Sequence, residues 1–212
     1  MGTRTRGFAN KVTADGVSSL DSTVITGATA ENSIDGADSI LIYDDSATAL
    51  RKMTRTNFVA GVGGTNTPAF SADLSSSQTI SASTFTKVQF NNEILDSDSN
   101  YDNATNYRFT PTTSGKYYFF TRIEGQSSNT NDVEELLIQV RKNGNNIIYS
   151  GFSFYPDRII HAFGNSVAGI VSMNGTSDYL EIFGYVAGGG TVSFKGSSSS
   201  PTYFGAYKLI GA

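Results

Sequence analysis

The last two-thirds of the chain consists of short segments in which apolar and polar residues alternate. Segments 118–123 and 136–140 place every second side chain on the same face of a strand. No stretch keeps the longer apolar repeat that a packed helix requires. The pattern therefore predicts a nearly all-β sandwich of two layers.

Asn143 and Gly144 form the strongest turn signal in this region. They stand between β-favouring segments at 136–140 and 147–149. Both residue types tolerate the positive φ of a type I′ turn, so we predict a tight hairpin. Other stretches that contain glycine, serine or asparagine are predicted connections between strands: 125–132, 157–164 and 188–190.

Aromatic residues are distributed unevenly along the chain. Of the 11 Tyr and 14 Phe, only Phe8, Tyr43 and Phe58 precede residue 67. The later part therefore carries enough aromatic area to bury a core of its own, and the earlier part does not. We predict an extended segment at 1–35, a small collar with a glycine-rich linker at 36–68, and one large domain at 69–212.

The predicted collar contains two β-favouring segments, at 39–43 and 49–53, joined by Asp44-Asp45-Ser46. This arrangement predicts a β-hairpin. Thr56 is the predicted cap of a single helical turn that Gly61 ends.

One copy of this collar offers little apolar surface to bury. Three copies around an axis would pack their apolar side chains against one another, so we predict a homotrimer. The side chains expected at that axis are Ile40, Ile42, Leu50 and Met53.

A set of apolar, glycine and turn residues is distributed along residues 69–212: Phe70, Val88, Phe90, Tyr101, Phe109, Gly115, Tyr117, Phe119, Asn143, Gly144, Asp178, Phe204 and Gly205. In order and rough spacing they resemble the jelly-roll superfamily of tumour necrosis factor and the complement C1q globular head. The resemblance implies a jelly-roll knob that works by binding, usually as a trimer, and not by catalysis.

Segments 40–45, 49–53 and 57–61 resemble a small unit of bacteriophage tail fibres and related virion fibres. The opening at 5–10 resembles the start of such fibres, which implies attachment to other virion proteins. Arg6, Phe8 and Asn10 are the predicted attachment residues. The expected location is therefore the virion, as a tail or head fibre assembled in the host cytoplasm.

Composition disfavours several classes of partner. The net charge is −4 and the 15 basic residues are scattered, so the chain lacks the positive stripe of a nucleic-acid-binding protein. It has no apolar run long enough for membrane insertion and no signal-like start. It also has no cysteine, which suits folding in a reducing compartment.

Catalysis is not expected. The single histidine, His161, has no nearby Gly-x-Ser-x-Gly elbow, and we expect a packed or interface imidazole. Glycan cleavage needs two facing acids. The sequence does not pair its candidates, each of which is equally well explained as strand or loop surface: Glu124, Glu134, Glu135 and Glu181.

No cofactor is predicted, and calcium is the ion that the sequence leaves open. Asp96, Asp98 and Asp102 place carboxylates at alternating positions near Ser97 and Asn100, as a calcium loop does. The same residues also favour an acidic turn through local hydrogen bonds. The segment lacks the glycine and the distal glutamate of an EF-hand.

Adhesion to a host surface glycan or protein is the predicted activity. Tyr155, Arg158 and Asn129 are the predicted contact residues, because exposed loops carry binding function and Tyr and Arg give large contact areas. The alternatives are an architectural fibre or decoration protein, a glycan-degrading spike enzyme, and a cellular adhesin of the same fold.

Overall fold

The computed structural model describes residues 35–62, 66–128, 133–154, 160–199 and 201–210. Contacts divide these residues into two compact units, with the boundary between Val62 and Gly63. We call them the hairpin unit, 35–62, and the jelly-roll unit, 66–210. The predicted attachment residues Arg6, Phe8 and Asn10 lie outside the described residues.

The hairpin unit contains strands β1 (Ser39–Asp44) and β2 (Ala49–Thr54), which pair antiparallel, and helix α1 (Arg55–Val62). Asp44 organises the turn, where it accepts hydrogen bonds from Ser46 Oγ at 2.7 Å and Ala47 N at 3.1 Å. The predicted hairpin and short helix are both present.

The start of α1 differs from the prediction by two residues. Thr54 Oγ1, not Thr56, accepts the hydrogen bond from Asn57 N at 3.3 Å that caps the first turn. Thr56 Oγ1 instead donates to Gly36 O at 2.9 Å, so this side chain ties the helix to residues before β1. The helix also continues past Gly61 to Val62.

The jelly-roll unit is built of antiparallel strands. In chain order they are β3 (Ala69–Asp73), β4 (Gln78–Ile80), β5 (Thr86–Lys87), β6 (Asn92–Asp96), β7 (Tyr101–Asp102), β8 (Arg108–Phe109), β9 (Gly115–Ser127), β10 (Val133–Lys142), β11 (Asn145–Ser153), β12 (Ala162–Met173), β13 (Leu180–Gly188), β14 (Val192–Phe194) and β15 (Tyr203–Lys208).

These strands form two sheets. Sheet 1 has the order β12–β9–β15–β3–β6, and β14 pairs with the last residues of β9 and with β4. Sheet 2 has the order β11–β10–β13–β8–β7, and β5 also pairs with β13. The two layers confirm the predicted jelly-roll β-sandwich.

Alternation along β9 shows how the sequence fills the core. Tyr117, Phe119 and Ile123 are fully buried, and the residues that alternate with them, Tyr118, Phe120 and Arg122, face away from the other sheet. Around Phe70 the core is aromatic. Its ring stacks on Tyr101 with a centroid distance of 4.6 Å and on Phe109 with a distance of 4.4 Å.

The predicted turn at Asn143 and Gly144 is confirmed, with φ values of 53° and 79°. The Asn143 side chain adds a tertiary role, because its Oδ1 accepts from Tyr179 N at 2.9 Å and its Nδ2 donates to Asp178 at 2.8 Å. One residue thus fixes both the hairpin and the start of β13.

Two predicted connections are shorter than expected, because β9 continues to Ser127 and β12 already begins at Ala162. The glycines there serve close packing and not turns. A Cβ on Gly125 would lie 2.9 Å from Val186 Cγ2. A Cβ on Gly164 would collide with the guanidinium of Arg122.

Candidate functional site

The predicted receptor-contact residues Tyr155, Arg158 and Asn129 lie outside the described residues. The aromatic residues next to the first two are described, and they pack together. Phe152, Phe154 and Phe163 form a cluster in which each pair of ring centroids is 5.0 Å apart. This cluster lies where β11 and β12, the edge strands of the two sheets, meet.

The acidic segment at 96–102 uses its carboxylates to hold backbone. Asp96 accepts a hydrogen bond from Tyr101 N at 2.7 Å. Asp102 accepts one from Thr105 N at 2.8 Å, and this bond contributes most to lowering the pKa of Asp102 to about 2. The described part of the chain contains no group of three or more acidic or histidine side chains suited to a metal.

Calcium at Asp96, Asp98 and Asp102 therefore stays a prediction, and the observed arrangement resembles an acidic turn. The Asp98 carboxylate accepts a hydrogen bond from the hydroxyl of Ser97. The three carboxylates are thus each engaged within their own loop.

Two of the four acids considered for glycan cleavage are held in ion pairs. Glu181 is 5% exposed and pairs with Lys87, so it is not the surface residue that we expected. Burial acts to raise the pKa of Glu124, but hydrogen bonds from Lys195 at 2.7 Å and Arg122 at 3.0 Å lower it overall. A glycosidase acid needs a raised pKa, so Glu124 is unsuited to that role.

The other candidates are at the surface. Glu134 is exposed, and Glu135 accepts a hydrogen bond from Ser153 Oγ at 2.7 Å. The His161 side chain is exposed and therefore not packed within its own chain. None of these placements supports a catalytic group.

The outer side of sheet 1 carries a cluster of large side chains that we call the aromatic face: Tyr118, Phe120, Ile170, Tyr203 and Tyr207. The Tyr118 ring centroid lies 5.5 Å from that of Tyr207 and 6.3 Å from that of Phe120. Ile170 stands opposite Tyr118 in register and is 62% exposed. The solvent side of a sheet normally carries polar residues, so this face is unusual.

Gly205 makes room for one ring of the aromatic face. The Phe120 ring covers Gly205 on the neighbouring strand, so closely that a Cβ there would collide with it. Towards β6 the apolar surface continues with Leu95, which is 52% exposed. Arg122, Glu124 and Lys195 form a charged boundary at one end.

A second apolar surface, the aromatic edge, comprises Phe152, Phe154 and Phe163 between β11 and β12. Phe152 is 49% exposed. Contiguous apolar patches of this kind on one chain mark interaction surfaces. The aromatic residues at 152–155 indicated the second surface from the sequence, but the aromatic face was missed. Its signal was present, because aromatic residues occupy consecutive positions at 117–120 and half of them must face outward.

Comparisons with known proteins found one matching family model and similar solved structures. Residues 69–162 match the family model of the C1q domain. Among solved structures, the chain is similar to a crystal structure of murine APRIL at pH 5.0, with 12% sequence identity and a TM-score of 0.46. That similarity covers 66% of this chain and 98% of the APRIL chain. No curated protein matches the chain.

Proposed function

We propose that this chain is a trimeric bacteriophage fibre protein. Its jelly-roll unit mediates adhesion to the host cell surface, and its N-terminal segment attaches it to the particle. The observation that carries the trimer is the pair of apolar surfaces on the jelly-roll unit. The aromatic face and the aromatic edge lie on different sides of the sandwich, and both are open in a single chain.

Two different apolar patches on one chain favour a contact in which one copy's edge meets the next copy's face. A contact of this head-to-tail kind forms a ring when the rotation closes. Three copies then bury both surfaces on every chain. The aromatic residues involved are of the type that dominates the energetics of stable interfaces.

The hairpin unit independently supports self-association. Leu41 and Tyr43 on one side of β1 are 56% and 61% exposed, and Ile40 on the other side is 36% exposed. Phe58 and Val59 in α1 are also open, at 43% and 47%. A hairpin with apolar groups on both sides has no core of its own, so three copies would provide one.

Adhesion follows from this architecture. C1q-like and tumour-necrosis-factor-like modules act by binding, and three identical jelly-roll units on one fibre multiply weak contacts through effective concentration. The resemblance of residues 40–61 to fibre proteins supports a virion location. Among the described residues, no helix is long and apolar enough to cross a membrane.

The second candidate is an architectural fibre or decoration protein that binds no receptor. It uses the same trimer and the same two apolar surfaces. Only the presence or absence of binding to cells separates it from an adhesin.

The test measures native mass and then binding. Light scattering after size exclusion should give three times 22.6 kDa for the full chain. Fluorescently labelled trimer is then incubated with a panel of bacterial cells, with labelled serum albumin as the control. A stable monomer would refute the trimer, and a trimer that binds no strain would favour the architectural candidate.

A further inference from the structure

The outer side of sheet 2 carries a row of side chains that crosses four strands. Tyr149 in β11 pairs with Gln139 in β10, Gln139 with Phe183 in β13, and Phe183 with Lys87 in β5. Register partners point to the same side of a sheet. That side is the solvent side, because the neighbours Ile138 and Val140 are fully buried.

Tyr149 extends along this surface from β11. A Cβ on Gly151 would lie 3.3 Å from Tyr149 Cε1 and 2.6 Å from Leu137 Cδ2. The tyrosine ring therefore lies next to the glycine and beside Leu137. The residue is 54% exposed, so much of the ring is open to solvent.

Tyr185 supplies a second aromatic group one row away. It is the register partner of Leu137, which lies beside the Tyr149 ring. The Tyr185 ring centroid is 5.2 Å from that of Phe85, which holds it in place. Tyr149, Leu137 and Tyr185 thus form an apolar floor.

The Arg141 guanidinium is held beside this apolar floor, and its hydrogen bonds to described residues use only part of its N–H donors. Its guanidinium lies 3.7 Å from the centroid of the Phe183 ring, and its Nε and Nη2 donate to Gln139 Oε1 at 3.0 and 2.7 Å. A guanidinium has five N–H donors in a planar fork. Nη1 has no hydrogen-bond partner among the described residues, so the edge that includes it can bind a second acceptor.

The charge of Arg141 is not balanced by an ion pair with any carboxylate in the described part of the chain. Glu181 is its register partner, but the carboxylate of Glu181 pairs with Lys87. Glu135 lies on the same side of β10 and accepts a hydrogen bond from Ser153. Burial and then the Glu135 carboxylate raise the pKa of Tyr149, so this carboxylate is near Tyr149 and not paired with Arg141. The free cation therefore favours an anionic partner.

We propose that this surface, the polar-aromatic face, binds an acidic polysaccharide, with sugar rings stacked on Tyr149 and Tyr185 and a sugar carboxylate bound by Arg141. The proposal rests on the proposed adhesive function and names its partner. Pyranose rings have apolar C–H faces that pack on aromatic rings. Their hydroxyl groups match the amide of Gln139.

The size of the surface favours a glycan over a protein. From Tyr149 to Lys87 it spans three strand intervals, or about 14 Å. A patch about 14 Å across covers roughly 200 Å², well below the about 800 Å² per partner of a stable protein interface. The surface lies on the opposite layer from the aromatic face, so a contact on that face does not cover it. Tyr149 shares β11 with Phe152 of the aromatic edge, but it points to the outer side of sheet 2, whereas Phe152 packs against Phe163 of sheet 1.

Affinity electrophoresis of the full chain tests the proposal. Native gels contain polygalacturonate, alginate or hyaluronate as acidic probes, or dextran as the neutral control. We expect retardation by at least one acidic polymer and none by dextran. Tyr149→Ala and Arg141→Gln should each weaken the apparent affinity about tenfold, because each removes one of the proposed contacts.

Arg108→Gln is the matched control. Arg108 also stacks on an aromatic ring, 4.4 Å from the centroid of Tyr179, and its loss changes the net charge by the same amount. It should leave retardation unchanged. Arg141→Lys keeps the charge but loses the fork, so it should bind more weakly than the wild type. The thermal midpoint of each variant verifies folding.

Failure of all three acidic polymers to retard the wild type would overturn the inference. So would equal retardation of the wild type, Tyr149→Ala and Arg141→Gln. Cell binding of the same variants distinguishes this failure from failure of the proposed function. If the variants bind host cells as strongly as the wild type, adhesion stands but uses another surface.

Discussion

Phe119 and Phe120 are consecutive residues with opposite roles. Phe119 is fully buried between the sheets, whereas Phe120 belongs to the aromatic face. The period of two along a strand produces this division. The same side chain type therefore fills the core at one position and belongs to the outer surface at the next.

Replacement of Phe119 by alanine tests the core position. It should lower the free energy of unfolding by roughly 3–5 kcal/mol, since it removes a buried ring and leaves a cavity. Urea denaturation followed by circular dichroism measures the change. Ile94→Ala is the control, because Ile94 is 59% exposed. A loss near zero for Phe119→Ala would place the ring outside the core.

Asp102 makes a pH-dependent contribution to stability. Backbone hydrogen bonds, the strongest from Thr105, lower its pKa in the folded state from 3.8 to about 2. Its contribution is therefore complete above pH 3.8 and is lost as the pH falls towards 2. The difference in unfolding free energy between the wild type and Asp102→Ala should shrink over that window. A difference that stays constant with pH would contradict this assignment.

At the scale of elements, features that depend on a few adjacent residues were predicted correctly, and features that depend on tertiary contacts were not. The turn at Asn143 and Gly144 depends on φ values that these two residues adopt alone, so the sequence is sufficient. Gly125 and Gly164 looked like turn residues, yet each lies in a strand because a neighbouring side chain fills its space. No local pattern contains that information.

A substitution in the hairpin unit tests whether this unit associates independently of the jelly-roll unit. Ile42→Asp should weaken association of the hairpin unit, because the charge would enter the proposed trimer contact. Hydrogen exchange should accelerate at amides 39–54 and stay unchanged at 117–123 in the jelly-roll unit. Asp45→Lys, an exposed substitution in the turn between the two strands, is the control. Unfolding of the jelly-roll unit in Ile42→Asp would contradict the independence of the two units.

At the scale of the whole molecule, the fold class was predictable and the binding surfaces were only partly so. Alternation and turns define the sandwich, but they do not say which outward residues cluster. That depends on the register between strands distant in sequence, such as Tyr118 with Tyr207. The loop residues chosen for their chemistry, Tyr155 and Arg158, lie outside the described residues, so their role stays a prediction.

Phe120→Asp tests the trimer. A carboxylate in the middle of the aromatic face would be buried without a partner in the assembly, so the trimer should dissociate. Light scattering should then give a monomer of about 22.6 kDa that retains its β-sheet circular dichroism spectrum. Thr79→Asp, at an exposed position of β4, should remain a trimer. If Phe120→Asp also remains a trimer, another surface holds it together.

The jelly-roll unit begins and ends at one place. Ala69 in β3 is the register partner of Tyr207 in β15, and Lys208 N donates to Pro68 O at 3.1 Å. A unit whose first and last strands are adjacent can be exchanged or inserted as a whole. An engineer can therefore place it in a surface loop of another carrier, and recombination can replace it without altering the rest of the chain.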